Sequence, residues 1–412
     1  DIPRALREAA EIALHGRPGP VYLDLADEAL NGRAAKAPFD GSDREPLPEP
    51  PEASIVQAAE LLRRAARPAV IFGKGVRWGD AFVELRALVE ALGAPFIASP
   101  MGRGLLPDDH PLAFTEVSGA VQSGADVVLM AGARWNWQFR FGAQLARDAQ
   151  VVTVDIHPPE IGVNVRPAVG LAGDAREVLR RLREHVNASG VFPGGVASRQ
   201  AWLAALEERR RHAAQELKRK MADERSPMSY YRMMRAIAEF LPDDAITILD
   251  GNLSMFAAQE VIRCRKPLSR LTVGSNGCVG AGVPFAIGAK LARPDQTVVA
   301  ICGDSAFGFC AMELETAVRH KIPFVVVVVD NGGMSGARVQ RMNYPPGHER
   351  VAMFEKDVRY DRLAEGLGAH GEFVEQPAEL RPALERATAS GRAACVHVRM
   401  DPLASAPVSQ RF

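Results

Sequence analysis

At 412 residues the chain is too long for one ordinary domain and suggests two or three. Hydrophobic residues make up 47% and charged residues 24%, the balance of a globular protein, and no apolar run is long enough to cross a bilayer. Lysine plus arginine equals aspartate plus glutamate at 50 each, so the charge favours neither nucleic acid nor an anionic membrane as a partner.

The chain opens in DIPRALREAAEIALHGRPGPVYLDL. Its periodicity predicts an amphipathic helix over Pro3 to Leu14, a turn at GRPGP and a buried strand at VYLDL. Residues 34–52 are rich in proline and polar groups and read as a linker. A helix over Ser54–Ala66, the strand PAVIFGKG, a helix over Ala81–Leu92, and the strands APFIAS, ADVVLMAGA and AQVVTVDI follow. Strands alternating with helices argue for a parallel sheet covered on both faces, a middle domain bounded here at 53–187. Its GKGVRWG stretch (Gly73–Gly79) is a weak echo of a nucleotide loop, and Asp155 closes a strand where a ribose could sit. A βα turn and a strand-end cap are the plain alternatives. The mixed-charge run EERRRHAAQELKRK falls in a long helix, Ser198–Ala222, within a connecting stretch at 188–226.

The last domain, 227–403 with a tail at 404–412, carries the most specific signal. ILDGNLS (Ile248–Ser254) ends a strand in a polar loop, and GSNGCVGAGVPFAIGAKLA (Gly274–Ala292) is a glycine-rich loop entering a small-residue helix. QTVVAIC (Gln296–Cys302) then reads as a buried strand, Phe307–His320 as a helix, and PFVVVVV (Pro323–Val329) as a second buried strand. In such a βαβ unit the strands run parallel, and Asp304 and Asn331, 27 positions apart, sit at their carboxyl ends. Open α/β sheets bind ligands there. Two hard oxygen donors from adjacent loops suit Mg²⁺, and the small residues Gly303, Ser305 and Ala306 let backbone N–H groups approach a phosphate. The five cysteines show no paired metal spacing and read mostly as core residues of a reducing compartment. No secretory signal is visible, and the cytoplasm is the expected location.

This GDS…DNGG pattern resembles the signature of thiamine diphosphate enzymes. The resemblance implies an α/β thiamine diphosphate-binding fold: two doubly wound parallel-sheet domains plus, in residues 1–33, the C-terminal remnant of a third, pyrimidine-binding domain. On that reading the chain is a fragment or a partly recorded protein. The resemblance implies Mg²⁺ held by the Asp304 and Asn331 side chains and the Gly333 carbonyl, with Ser305 and Ala306 near the diphosphate. Val279 falls at the apolar wedge between the two cofactor rings, Gly277 offers its carbonyl to the cofactor's amino group, and Asn252, Ser254 and Met334 complete the cofactor contacts. The activating glutamate of the family comes from the pyrimidine-binding domain of a neighbouring subunit, so no residue here takes that role, and a homo-oligomer, dimer or tetramer, is implied.

The strings PMGRGLLPDDHP, GARWNWQFRFG, DIHPPEIGVNVRPAVGLAGD and GDSAFGF resemble 2-hydroxyacyl-CoA lyases and oxalyl-CoA decarboxylases. That group implies a lyase acting on an acyl-CoA, and an ADP-like nucleotide in the middle domain with Arg134 and Asp155 as its contacts. A structural role for both, an arginine after a turn and an aspartate closing a strand, is the alternative. Ser335 stands where the group has a tyrosine facing the reacting carbon, and Asp330 replaces an asparagine beside the metal ligand. The segment NYPPGHERVAMF (Asn343–Phe354) is a candidate to hold the substrate. An acetolactate synthase-like carboligase with FAD and a non-catalytic thiamine diphosphate-binding subunit are the rival readings.

Overall fold

The computed structural model describes residues 2–33, 46–188, 196–336, 341–342 and 344–404. Most of the expected linker and nearly all of the tail lie outside these residues. The chain forms two compact units. One comprises residues 1–97, 121–135 and 141–202; the other comprises 98–120, 136–140 and 203–412. The division departs from the contiguous domains read from the sequence, because two short stretches of the middle region belong to the second unit.

The first unit is built on a five-stranded sheet of order β2-β1-β3-β4-β5. Its strands are β1 (Pro68–Phe72), β2 (Phe96–Ala98), β3 (Val127–Ala131), β4 (Gln150–Asp155) and β5 (Val169–Ala172). β1, β3, β4 and β5 pair in parallel, and β1 and β3 are buried along their whole length, which is why they read as unbroken apolar runs. Helices Glu52–Arg64, Phe82–Leu92 and Ala175–Ala188 cover the sheet. GKGVRWG is not an open loop: Lys74–Trp78 forms a short helix.

The second unit holds a six-stranded parallel sheet of order β10-β11-β9-β8-β6-β7. Its strands are β6 (Ile246–Asp250), β7 (Arg270–Thr272), β8 (Val298–Gly303), β9 (Val325–Asp330), β10 (His370–Val374) and β11 (Ala394–Arg399). Alternate residues feed two cores. Leu249, Val299, Val327 and Val329 face helices Tyr230–Phe240 and Leu380–Ala389; Ile248, Ala300, Val326 and Val328 face helices Gly282–Ala292 and Tyr360–Gly366. Both faces are apolar, so the pentavaline run needs no period of two.

Two expectations are corrected. Residues Val21–Leu25 form no strand; Tyr22 is 86% exposed, and no described strand pairs with it, so the backbone lacks the ladder that would make it one. The helix expected over Phe307–His320 is two helices, Asp304–Cys310 and Glu313–Arg319. Glu313 and Glu315 fall in the first turn of the second, where acidic side chains favour a helix start.

Candidate active site

The six-stranded sheet reverses direction around β6: the chain moves out to β7 on one side, then returns to β8 on the other. Loops leaving the carboxyl ends of β6, β7, β8 and β9 meet there in a cleft of about 300 Å³. Its lining includes Asn252, Ser254, Gly277, Val279, Asp304, Ser305, Asn331, Gly333, Met334 and Ser335, so one cavity collects nearly every residue picked from the sequence. Ala306 is one of three exceptions; it is fully buried and does not line the cleft. Arg134 and Asp155 lie in the other unit. Arg134 stands 3.9 Å from Glu160, and Asp155 closes β4 with Oδ1 accepting from the His157 N–H at 2.9 Å.

Oxygen atoms dominate the cleft floor. Asp304 is buried, and its carboxylate accepts from Ser305 N–H at 2.6 Å and Gly333 N–H at 2.9 Å. Asn331 Nδ2 contacts Tyr230 Oη at 2.6 Å, which leaves its amide oxygen 2.7 Å from the Gly333 carbonyl and 3.3 Å from Asp304 Oδ2. Three oxygens facing one another repel unless a cation sits among them or the amide turns over. Burial pushes the Asp304 carboxyl up to about 7, a cost that a divalent cation would offset. The set fits a hard, oxygen-liganded ion such as Mg²⁺.

The rest of the cleft fits a flat, partly apolar ligand with an anionic end. Gly277 has a left-handed backbone, with open space where a side chain would stand, and Val279 is 42% exposed beside it. Gly333, at φ 148°, must be glycine, because a Cβ there would lie 2.3 Å from the Ala352 carbonyl. The returning segment is stitched to this loop by Met334 N–H donating to Ala352 O at 2.9 Å and Phe354 N–H to Gly332 O at 3.0 Å. The far end of the candidate segment Asn343–Phe354 therefore borders the loop after Asn331; Asn343 itself lies outside the described residues.

Two contributors escaped the sequence reading, and a third, Asp250, was read only as part of the polar end of the ILDGNLS strand. Trp137 lines the cleft, and its indole N–H donates to the Ser275 carbonyl at 2.8 Å, fixing the glycine-rich loop. Tyr230 orients Asn331. Asp250 receives Gly280 and Gly282 N–H groups on Oδ2 at 3.0 and 2.7 Å, while its buried Oδ1 has no hydrogen-bond partner among the described residues. The GARWNWQFRFG string held the only advance sign of Trp137.

Burial raises the Asp250 carboxyl above its ordinary 3.8, against the backbone bonds that lower it. The sign follows from linkage: a group raised on folding contributes stability below its unfolded value that is lost as pH climbs through the folded one. Asp250→Asn removes that titration. The melting temperature of the variant should therefore gain on that of the unsubstituted protein from pH 4 upward and then level off. A variant melting temperature that falls relative to that of the unsubstituted protein as pH rises would contradict the assignment.

Comparison with known proteins agrees with this site. Residues 250–398 match the C-terminal TPP-binding domain of thiamine pyrophosphate enzymes, and residues 55–182 match their central domain. A 2-hydroxyacyl-CoA lyase of Oryza sativa is 32% identical over 428 residues, covering 98% of this chain and 74% of the relative. An oxalyl-CoA decarboxylase of Escherichia coli is 31% identical over 98% of this chain and 72% of its own. An acetolactate synthase large subunit of Mycobacterium tuberculosis is 36% identical over a shorter span, 87% of this chain and 64% of the relative. The chain belongs to the thiamine pyrophosphate enzymes, with thiamine diphosphate as cofactor. Within them it is a carbon–carbon lyase.

Proposed function

We propose that the protein cleaves a 2-hydroxyacyl-CoA to an aldehyde and formyl-CoA, or decarboxylates a related acyl-CoA, with Mg²⁺ as its metal. The observation that carries this is the convergence of the Asp304 carboxylate, the Asn331 side-chain amide and the Gly333 carbonyl in a cleft at the switch point, in a chain whose lyase- and decarboxylase-named relatives align along 98% of it.

Bound thiamine diphosphate supplies a nucleophilic carbon and a positively charged ring that takes up the electrons of the broken bond. The chain's own residues do the rest. The Asp304 and Asn331 side chains and the Gly333 carbonyl hold the metal, and Asn252, Ser254, Ser305 and Met334 seat the cofactor around it. Val279 keeps the two rings apart, and Gly277 offers its carbonyl to the pyrimidine side. Ser335, whose short side chain replaces a phenol, leaves room for the acyl group. Arg134 and Asp155 hold an ADP-like nucleotide in the middle domain.

The surface of the second unit supports a homo-oligomer, dimer or tetramer. The helix Gly282–Ala292 is apolar on more than its buried side: Phe285 and Leu291 are exposed, as are Phe309 and Met312 on its neighbours. Helices hydrophobic all round are ordinarily covered. No described helix is long and apolar enough to cross a membrane. The cytoplasm is the proposed location, with an acyl-CoA and a second copy of the chain as partners, and neither nucleic acid nor a membrane.

The Mycobacterium relative, at 36% identity, favours an acetolactate synthase-like carboligase as the second reading. The test supplies the full-length protein with thiamine diphosphate and Mg²⁺, then a short 2-hydroxyacyl-CoA, oxalyl-CoA or pyruvate in separate reactions. Formyl-CoA with an aldehyde, seen by mass spectrometry, supports the lyase; formyl-CoA from oxalyl-CoA alone supports the decarboxylase. Acetolactate from pyruvate without formyl-CoA overturns both in favour of the carboligase, and no product from any substrate points to a non-catalytic subunit.

A further inference from the structure

Behind the metal-facing loop runs a chain of charges, from a fully buried histidine to a half-exposed arginine, that the cofactor chemistry does not use. Asp330, the residue before Asn331, accepts from the Gly332 N–H on Oδ1 at 3.2 Å and meets His397 Nε2 through Oδ2 at 2.9 Å. His397, on β11 opposite Val328 of β9, is fully buried, and its other nitrogen, Nδ1, faces Asp361 Oδ1 at 3.3 Å. Asp361 in turn accepts from Arg359 Nε at 2.8 Å and Nη2 at 2.6 Å. Rings seal the chain. Tyr360 and Phe373 stand edge-on to the imidazole at 5.1 and 4.9 Å, and the Arg359 guanidinium lies over Phe373 at 4.0 Å.

A carboxylate oxygen only accepts hydrogen bonds, so the imidazole N–H is the donor at Asp330 Oδ2. Asp361 already has the Arg359 guanidinium on both oxygens, with Arg362 Nε 4.0 Å away, so its demand is met without the ring. Asp330 is also the position where the sequence departs from its resemblance, a carboxylate standing beside a metal ligand where an amide is expected. An unrestrained carboxylate there would compete for the cation.

We propose that His397 is a positioning residue for the metal loop: its Nε2, 2.9 Å from Asp330 Oδ2, holds that carboxylate against Gly332, leaving Asn331 and Gly333 to present their oxygens. This rests on the reading of Asp304, Asn331 and Gly333 as metal ligands.

The test titrates Mn²⁺ into the full-length protein with thiamine diphosphate and follows free Mn²⁺ by paramagnetic resonance. H397Q should weaken Mn²⁺ binding by roughly 10–100-fold, the usual loss when a group supporting a metal site is removed. Adding D330N to H397Q should restore binding to within about threefold, because an amide needs no counter-charge. A merely structural histidine predicts no such rescue. Should H397Q fail to fold, nitrogen NMR of ¹⁵N-histidine-labelled unsubstituted protein decides: His397 Nε2 must carry the proton it donates to Asp330, and a bare Nε2 overturns the proposal. Mn²⁺ binding unchanged in H397Q overturns this inference alone. No Mn²⁺ uptake by the unsubstituted protein removes the metal reading and this inference with it.

Discussion

Asp304→Ala is expected to cost at least about 100-fold in Mg²⁺ affinity, beyond the loss usual for groups that only support a metal ligand, and to remove thiamine diphosphate-dependent turnover. Asp304 is 1% exposed and is the only carboxylate among the three groups that converge there. Its removal takes away the charge that favours a cation and leaves the Gly333 N–H without the acceptor it has at 2.9 Å. Asp304→Asn separates the two effects, since it keeps the shape and loses the charge. Calorimetric titration of Mg²⁺ in excess thiamine diphosphate gives the affinities, and a thermal melt checks that each variant is folded. Mg²⁺ binding in D304A within about threefold of the unsubstituted protein would sink the metal assignment.

Gly282→Ala should destabilise the second unit by about 1–3 kcal/mol, the usual cost of overpacking a core. A Cβ at that position would lie 2.2 Å from Cys302 Sγ and 3.2 Å from Asp250 Oδ2. Cys302 is fully buried in β8, so its sulfur has no solvent-side route of escape. The same glycine donates its N–H to Asp250 at 2.7 Å, so any retreat of the helix also loosens the glycine-rich loop. For a domain of this size the melting temperature should fall by about 2–4 °C per kcal/mol. The clash has a specific remedy: Cys302→Ala removes the sulfur, and G282A/C302A should recover part of the loss. Additive losses in the double variant would show that the clash is not the cause.

The residues most legible in the sequence were those whose neighbours along the chain announce them. The valine run of β9 and the QTVVAIC strand are buried on both faces, so apolarity alone marks them. Asp304 and Asn331 were visible because each ends such a strand. β5, β7 and β10 went unread for contrary reasons: β5 is four residues broken by Gly170, β7 is three residues beginning with the buried Arg270, and β10 is the half-polar HGEFV. VYLDL failed the other way, with a strand's composition and no described partner. Trp137, Tyr230 and His397 act across 138, 101 and 67 positions of sequence, and no local pattern encodes such contacts. Asp330 looked like a simple departure until β11 brought a histidine beside it.

In the β8–β9 ladder Gly303 sits opposite Val329, one residue before Asp304 on one strand and two before Asn331 on the other. The gap between the two donors is thus gauged by the pitch of the sheet, about 4.8 Å from strand to strand, rather than by the length of anything that joins them. A ruler of that kind is indifferent to what is spliced in beyond it. The stretch after Gly333 is free to lengthen, shorten or change its chemistry for a new substrate without moving the two side chains that the hydrogen-bonded ladder keeps in step.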